Sequence, residues 1–445
     1  MKSSDPLLAA WEETLARKGD CPAIFDTTGE VLRTFRDIER RTQGLQAELD
    51  PGAAGQVAPI DIGNHPDWPS LLLASLRRGF VALPLEDSIT PQQREAALRI
   101  CSVRSAGDWG ERPPVLLKLT SGTTAAPRVI RFRSEQLLAD CIQICDTMGI
   151  GSGDLNFGVI PLSHSYGFSN LVTPLLVRGV PVVLSRDRMP RAVLDDLART
   201  GATVFPGMPV FYQAFSEMKN APALPRLRLC ISAGAPLPLE IATKFREKFQ
   251  RSIHSFYGSS ECGGICYDRE ARLLEPGFVG PAMRGVELDL IEPDAAASRI
   301  RVRSAAAGDG YFPKPDEEKL GGGSFVPDDL LSASEDGFRI VGRISDVINV
   351  AGKKVNPAEV EAELLRFEGV RAAVAFGRES TLRNQEVAAC VVAGEGIREV
   401  DLLEFCRERL SGWQVPKRIF FVDEIPVNER GKVSRRDLAR QFGRS

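Results

Sequence analysis

Short β-rich runs alternate with helical patterns through the middle of this chain, and this alternation limits the folds available to it. The β-rich runs lie at residues 181–184, 203–205 and 227–231, and helical patterns separate them at 192–199 and 239–249. Strands that alternate with helices in this way pack as parallel α/β layers. The chain has 445 residues, of which 43% are hydrophobic, enough for two or three domains with a full-sized core. The sequence therefore predicts an α/β protein.

A smaller α+β pattern occupies the C-terminal part of the chain. Strands are expected at residues 347–350, 370–376, 387–392 and 419–422, and helices at residues 357–367 and 400–410. The length of this pattern suits a separate small domain. We predict a large N-terminal domain of layered α/β subdomains, residues 1–342, and a small mobile α+β domain, residues 343–445. The hinge is expected near residues 343–346, and the active site between the domains, where ligand sites often lie.

The charge and composition give no indication of a nucleic-acid or membrane partner. The formal net charge is −3, and no basic run resembles a nucleic-acid footprint. The longest apolar stretch, residues 71–85, contains Arg77 and Arg78 and is too short to span a bilayer. Because the N-terminus lacks a signal-peptide pattern, we expect a cytoplasmic protein. The nine cysteines form no C-x-x-C pair and the chain has three histidines, which argues against a zinc site.

A hydroxyl-rich loop follows a short apolar run at residues 115–117 that we predict to be a strand. The loop contains Thr120, Ser121, Gly122, Thr123 and Thr124. Backbone N–H groups and hydroxyls in such a loop can bind an anion, as phosphate-binding loops do. A plain surface loop can have the same composition, and the G-x-x-x-x-G-K-[ST] pattern of a Walker loop is absent. The loop by itself leaves both interpretations open.

Four further segments, in order along the chain, contain residue types suited to the same chemistry. They are residues 161–168, 255–261, 328–346 and 426–432. With the loop, this series resembles the AMP-forming adenylating enzymes, which include acyl-CoA synthetases, peptide-synthetase adenylation domains and firefly luciferase. The resemblance extends from Phe35 to Leu438 and is closest in type to acyl- or aryl-CoA ligases.

The resemblance implies a two-step reaction. A carboxylic acid attacks the α-phosphate of ATP to give acyl-AMP and pyrophosphate, and a thiol then attacks the acyl-AMP. Phosphoryl chemistry of this kind needs positioning and charge neutralisation more than covalent catalysis. The implied cofactors are ATP, Mg²⁺ and coenzyme A, with the phosphopantetheine of an acyl carrier protein as an alternative acceptor.

The resemblance also implies a role for each motif. Residues 120–124 would close over the β- and γ-phosphates, and Glu261 would hold the Mg²⁺ ion. The expected catalytic residues are Thr124, Glu261 and Lys432. The residues expected to contact the nucleotide or the acceptor are Thr120, Ser121, Gly122, Thr123, Thr124, Gly234, Ala235, Pro236, Tyr257, Gly258, Ser259, Ser260, Asp329, Arg343 and Gly352.

Several of these assignments have a simpler alternative. The Tyr257 ring and the turn at residues 234–236 would lie against adenine, or they form a core aromatic and an ordinary turn. Asp329 would accept hydrogen bonds from the ribose hydroxyls, although Asp328 beside it could be mistaken for it. Arg343 would contact the ribose and a phosphate.

Lys432 and Gly352 would serve the two half-reactions. Lys432 would contact the reacting carboxylate and the α-phosphate, a task that suits a compact mobile ammonium group. In most proteins, however, a lysine in a tail is a surface charge. Gly352 would let a pantetheine arm pass, or it is simply a hairpin glycine.

The acid-binding pocket is expected to be lined by small and aromatic side chains. The candidates are His164, Phe168, Phe205, Ala233, Gly258 and Gly263. His164 has a structural role as an alternative. An amino-acid substrate is disfavoured because residues 164–169 contain no carboxylate that could pair with a buried α-ammonium group.

The phosphate loop departs from the family pattern Gly-x-Pro-Lys-Gly, because Ala125 and Val129 stand where glycines are usual and Arg128 stands where a lysine is usual. The positive charge is retained, but the loop should be stiffer. We predict ATP-dependent activation of a small carboxylic acid through acyl-AMP, followed by transfer to coenzyme A. A ligase that loads an acyl carrier protein is the close alternative, because both acceptors end in the same thiol. A non-catalytic nucleotide-binding relative is the third possibility.

Overall fold

The structure is a computed structural model that describes residues 5–49, 54–86, 89, 91–100, 109–110, 112–119, 128–295, 297–380, 384–426 and 433–442. Its α-helices are α1 Pro6–Lys18, α2 Phe35–Glu48, α3 Trp68–Arg77, α4 Pro91–Ile100, α5 Ser134–Met148, α6 Ser165–Gly167, α7 Thr173–Arg178, α8 Pro190–Thr200, α9 Pro209–Glu217, α10 Leu239–Phe249, α11 Pro357–Leu365, α12 Glu399–Arg409 and α13 Arg435–Phe442. A π-helical turn spans Phe168–Val172, and a 3₁₀ turn spans Ile344–Asp346.

The β-strands of the described residues begin with β1 Pro22–Phe25, β2 Val31–Thr34, β3 Val57–Ile60, β4 Val81–Pro84, β5 Leu116–Leu119, β6 Val129–Phe132, β7 Asn156–Gly158, β8 Val182–Leu184, β9 Val204–Gly207, β10 Leu229–Ser232, β11 Ile253–Ser259, β12 Gly263–Tyr267 and β13 Phe278–Gly280. They continue with β14 Val286–Leu290, β15 Ser298–Ser304, β16 Gly310–Phe312, β17 Leu320–Gly321, β18 Ser324–Phe325, β19 Asp329–Ser334, β20 Gly337–Arg343, β21 Ile348–Val350, β22 Lys353–Val355, β23 Val370–Ser380, β24 Asn384–Ala393 and β25 Arg418–Phe421.

The chain divides into two compact units of unequal size. The first unit is Met1–Asp289, Arg301–Pro327 and Ser334–Phe338, and the second is Leu290–Ile300, Asp328–Ala333 and Arg339–Ser445. Four of the five boundaries fall inside β14, β15, β19 and β20, so the chain passes from one unit to the other several times. The predicted α/β class, with a large N-terminal part and a small C-terminal part, is confirmed. None of the described helices is both long and apolar enough to cross a bilayer.

An eight-stranded sheet lies in the first unit, in the order β12-β11-β10-β9-β7-β8-β1-β2. Strands β7 to β10 are buried along their whole length, as expected for parallel strands covered on both faces. Helices α8, α9 and α10 connect consecutive strands from β8 to β11, so the alternation read from the sequence is the one observed. Because β9, β10 and β11 run parallel, their carboxyl ends lie at one edge of the sheet.

A five-stranded sheet, β16-β6-β5-β4-β3, is the second sheet of the first unit. On one face of β5, Leu117 and Leu119 pack in an apolar cluster with Leu83, Trp109 and Val129. Since side chains alternate along a strand, Lys118 lies on the opposite face. Strands β5 and β6 pair antiparallel, with Leu119 opposite Val129, so they flank the hydroxyl-rich loop.

The second unit contains a five-stranded sheet formed by β21 to β25, against which α11 and α12 pack around a common core. The sequence predicted four of these strands and both helices. Strand β23 extends to Ser380, beyond the predicted end, and pairs with β24 along its length. Its distal half is polar and includes the ion pair of Arg378 with Glu386, so its hydrophobic pattern stops before the strand does.

Candidate active site

Several predicted site residues follow the carboxyl ends of the parallel strands in the first unit. Ala233 and the turn at residues 234–236 follow β10, and Glu261 follows β11. In open α/β sheets, ligands bind outside the carboxyl ends of the strands. The fold thus brings two motifs that are separated in sequence to the same edge of the sheet.

Glu261 is half-buried in the tight turn between β11 and β12, and the protein fixes both oxygens of its carboxylate. The Ser259 hydroxyl donates to Oε2 at 2.8 Å, and the Tyr311 hydroxyl donates to Oε1 at 3.1 Å. The Glu261 carbonyl accepts a hydrogen bond from Gly308 N–H at 2.8 Å. The carboxylate is therefore oriented by neighbours before any ligand binds.

Tyr311 contacts both Glu261 and Arg128, the first described residue after the hydroxyl-rich loop. The Tyr311 side chain is 2% exposed, and burial together with the nearby Glu261 charge raises its pKa, so the hydroxyl remains a donor. The Arg128 guanidinium lies 4.2 Å from the centre of the Tyr311 ring, and Arg128 also forms an ion pair with Asp316 at 3.7 Å. Arg128 is thus held against the ring of the tyrosine whose hydroxyl donates to the Glu261 carboxylate.

The glycines of this region are required by close packing. A Cβ atom at Gly258 would lie 2.7 Å from the Gly263 carbonyl oxygen, and a Cβ atom at Gly263 would lie 1.9 Å from Asp140 Oδ1. Gly263 also has a φ of +69°, which favours glycine. Tyr257 is buried at 8% exposure in β11, opposite Cys266.

The turn at residues 234–236 is exposed after the buried Ala233. Gly234 has a φ of +87°, and no atom lies within 4 Å of the position that its Cβ would take. The turn therefore presents backbone at the sheet edge with open space beside it, a geometry that allows a flat ring to approach closely.

His164 and its neighbours join the second motif to the third. The His164 Nδ1 atom accepts a hydrogen bond from Tyr166 N–H at 3.1 Å, which leaves Nε2 to carry the proton in the neutral ring. The Ser165 hydroxyl donates to the Ser260 hydroxyl at 2.8 Å. Phe168 is 1% exposed and packs edge-on against Trp68, with ring centres 5.9 Å apart.

Phe205 has a different environment from the other pocket candidates. It is fully buried in β9 and contacts the rings of Phe157, Phe211, Tyr212 and Phe215. These contacts place it in an aromatic core cluster, and its place among the pocket residues stays a prediction.

The second unit holds the predicted ribose-binding pair. Asp329 is 8% exposed, and its Oδ1 atom accepts a hydrogen bond from Arg343 Nε at 2.7 Å. Asp328 is exposed, and its carbonyl accepts from Ile344 N–H. Of the two adjacent aspartates, Asp329 is therefore the one whose carboxylate is positioned together with Arg343.

Gly352 lies in a two-residue hairpin turn in the second unit. Val350 pairs with Lys353 on either side of Ala351 and Gly352, whose φ angles are +50° and +84°. Positive φ at both central residues is characteristic of a type I′ turn. The turn is exposed, and no atom lies within 4 Å of a Cβ placed on Gly352. Gly352 is thus a hairpin glycine in this structure, and its function in the acceptor path stays a prediction.

Two of the predicted elements lie outside the described residues. They are the loop residues Thr120, Ser121, Gly122, Thr123 and Thr124, and the C-terminal Lys432. Arg435, three positions after Lys432, forms 2.7 Å ion pairs with Asp346 and Glu361. The roles of the loop and of Lys432 stay predictions.

Three functional candidates were missed from the sequence. Tyr311 is separated from Glu261 by 50 residues, and the strand β16 that carries it lies in the five-stranded sheet of the first unit. Lys118 and Asp140 form a buried charged cluster beside Phe168 and Gly263. A charged residue inside the apolar run at residues 115–119 was the signal available for Lys118.

Comparison with known proteins agrees with this arrangement. A family model described as "AMP-binding enzyme" matches residues 108–312, and one described as "AMP-binding enzyme C-terminal domain" matches residues 359–432. A feruloyl-CoA synthase of an Amycolatopsis species is 27% identical, with 98% of this chain and 99% of the relative covered. A 3,4-dihydroxybenzoate–[aryl-carrier protein] ligase of Bacillus anthracis is 29% identical, with 73% of each chain covered.

The fold is shared with solved structures of the same kind. The ATP-bound structure of MatB from Rhodopseudomonas palustris has a TM-score of 0.83 and 22% sequence identity, and the comparison covers 98% of each chain. The two family models match the regions that contain Glu261 and Lys432, and the ordered motifs lie within or beside them. The chain belongs to the superfamily of AMP-forming adenylating enzymes.

Proposed function

We propose that the protein activates a carboxylic acid as acyl-AMP and transfers the acyl group to coenzyme A. The observation that carries the proposal is the Glu261 carboxylate, which Ser259 and Tyr311 orient at the carboxyl edge of the sheet. The relatives whose names end in CoA synthase or CoA ligase support the acceptor.

The reaction consists of two substitutions, the first at the α-phosphorus of ATP and the second at the acyl carbon. An oxygen of the acid's carboxylate bonds to the α-phosphorus of ATP, the bond from that phosphorus to the bridging oxygen breaks, and pyrophosphate leaves. The thiol sulfur then bonds to the acyl carbon, AMP leaves with the bonding electrons, and the thiol proton passes to solvent. We assign Lys432 to the first substitution and the residues around Gly352 to the second.

Glu261 is suited to hold the Mg²⁺ ion. Each of its two oxygens accepts one hydrogen bond from Ser259 or Tyr311, and a carboxylate offers about four acceptor positions, so capacity for a cation remains. Among the described residues no group of three or more metal-ligating side chains occurs. This suits Mg²⁺, which is bound by one or two carboxylates together with substrate phosphates. The ion would neutralise charge on the phosphates while pyrophosphate leaves.

We assign nucleotide recognition to two groups of residues. Tyr257 and the turn at residues 234–236 would lie against adenine, and Asp329 and Arg343 would contact the ribose. The exposed backbone at Gly234 and the positioned Asp329 carboxylate support these assignments. The hydroxyl-rich loop would bind the β- and γ-phosphates, and the small domain would turn about residues 343–346 between the two half-reactions.

The acid is proposed to be aromatic. Two relatives are named for a feruloyl group and for 3,4-dihydroxybenzoate, which are both aromatic acids. The aryl-carrier protein named for the second of them keeps a carrier-protein acceptor as the second candidate function.

Acid-dependent exchange of labelled pyrophosphate into ATP tests the first half-reaction. We expect exchange with at least one aromatic acid and no exchange without acid. Thioester formation should then be measured with coenzyme A and, separately, with a holo carrier protein. Turnover with the carrier protein alone would contradict the coenzyme A assignment, and absence of exchange with every acid would favour a non-catalytic nucleotide-binding protein.

A further inference from the structure

Lys118 is a charged side chain in the interior of the first unit. It lies in the middle of β5 and is 6% exposed. Its Nζ atom lies 4.6 Å from the centre of the Phe132 ring and 5.3 Å from the centre of the Phe168 ring. Phe168 is one of the residues predicted to line the acid pocket. The ammonium group therefore lies beside an aromatic wall of that region.

The Lys118 ammonium has three hydrogen-bond donors, but no described residue accepts from it or forms a close ion pair with it. Burying a charged group without hydrogen bonds is costly. Contact with aromatic faces offsets a part of this cost. Burial lowers the pKa of Lys118, and the negative charge of Asp140 opposes that shift. An oxygen acceptor from a bound molecule would complete the environment of the ammonium group.

The negative charge of Asp140 offsets the positive charge of Lys118, and both oxygens of the Asp140 carboxylate already accept hydrogen bonds. It is 3% exposed on α5, and its carboxylate accepts hydrogen bonds from the Ser169 hydroxyl and from Gly264 N–H. Gly263, another predicted pocket residue, packs directly against this carboxylate, with no room for a side chain. The charges of Lys118 and Asp140 offset each other without a close ion pair, and no described residue uses the donors of the lysine.

We propose that Lys118 recognises an oxygen atom on the acid substrate, remote from the reacting carboxylate, and that this oxygen is a neutral ring substituent such as a hydroxyl. This inference rests on the proposed function. A neutral oxygen fits because Asp140 already balances the ammonium charge. A second carboxylate on the substrate would leave an uncompensated negative charge in a buried site.

The test uses acids in matched sets that share a ring, namely benzoate, 4-hydroxybenzoate and terephthalate, and cinnamate and 4-coumarate. The measured quantity is kcat/KM for acid-dependent pyrophosphate exchange. A site built to donate a hydrogen bond discriminates strongly against an analogue that lacks the acceptor. We expect the wild-type protein to prefer a hydroxylated acid over its unsubstituted partner by at least about tenfold. Lys118→Met should bring this ratio close to one while exchange with the unsubstituted acid is kept.

Two variants protect the test against a folding defect. Lys118→Met leaves Asp140 without its balancing charge, so the double variant Lys118→Met/Asp140→Asn restores a neutral cluster and should show the same loss of preference. Lys244→Met changes an exposed lysine that pairs with Glu240 in the same unit, and it should leave the ratio unchanged.

The outcomes separate this inference from the proposed function. Lys118 does not recognise the substrate if exchange occurs but the wild type shows no preference for the hydroxylated acid. The same conclusion follows if the preference survives in Lys118→Met and in the double variant. A preference for terephthalate would overturn the choice of a neutral oxygen. Absence of exchange with every acid would instead contradict the proposed function.

Discussion

Tyr311 donates a hydrogen bond from its hydroxyl to Glu261 Oε1, so a residue of one sheet orients a carboxylate at the edge of another. Ser259 holds the second oxygen of the same carboxylate from within the turn. A side chain that is held at both oxygens loses little freedom when it binds a cation. We therefore expect the affinity for Mg²⁺ to depend on Tyr311 as well as on Glu261.

Tyr311→Phe should raise the Mg²⁺ concentration needed for half-maximal pyrophosphate exchange by roughly 10- to 100-fold, the usual effect of removing a partner behind a metal ligand. The KM for the acid should change little. Tyr212→Phe is a matched control, since Tyr212 is also buried and its hydroxyl is shared between the carbonyls of Phe205 and Ile231. An unchanged Mg²⁺ dependence in Tyr311→Phe would limit the residue to a packing role.

Glu261→Ala should raise the Mg²⁺ requirement further and lower the maximal rate, because the proposed ligand itself is removed. Glu261→Gln keeps the size of the side chain and removes its charge, so its Mg²⁺ requirement should also rise. A Mg²⁺ titration of exchange measures both variants. If both titrations match the wild type, Glu261 does not bind the metal.

Lys432→Ala should reduce acyl-AMP formation by a factor on the order of 10² to 10⁴, since the loss of one charged contact in the transition state costs roughly 3–5 kcal/mol. Thioester formation from supplied acyl-AMP should be affected far less. Lys417→Ala, an exposed lysine of the second unit, is the control and should leave both rates unchanged. Equal losses in the two half-reactions would assign Lys432 a structural role.

Gly352→Leu should leave pyrophosphate exchange near normal and abolish thioester formation if the hairpin turn lines the path of the thiol. The φ of +84° means that any side chain strains this turn, so Gly352→Ala is needed as a control for strain without bulk. Alanine should retain most of the transfer activity. Loss of exchange in the leucine variant, or equal loss of transfer in both variants, would identify a glycine required for folding.

Some of the regular elements were predictable from the sequence because their hydrophobic patterns are local, whereas others, such as α2 and α5, were not predicted. Helix α10 was predicted with its observed bounds, Leu239–Phe249, and β10 was displaced by one or two residues. Strands β17 and β18 were not predicted, because each has two residues and too few positions to show alternation.

The candidate site was only partly predictable for a different reason. Glu261 was identified from its motif, whereas Tyr311 enters the site through the antiparallel pairing of β16 with β6. Such long-range pairing has no signature in one sequence. Lys118 was passed over because it belongs to a strand whose other residues are all leucine, and the strand alone does not show what its opposite face meets.

The ion pairs of Arg435 limit how far Lys432 can travel by itself. Arg435 is three positions after Lys432, and a fully extended chain spans at most about 3.6 Å per residue step. The Lys432 backbone can therefore lie no more than about 11 Å from an arginine that is tied to Asp346 in the 3₁₀ turn and to Glu361 on α11. A larger displacement of Lys432 between the half-reactions therefore requires Arg435, with the turn and the helix that it pairs with, to move as well.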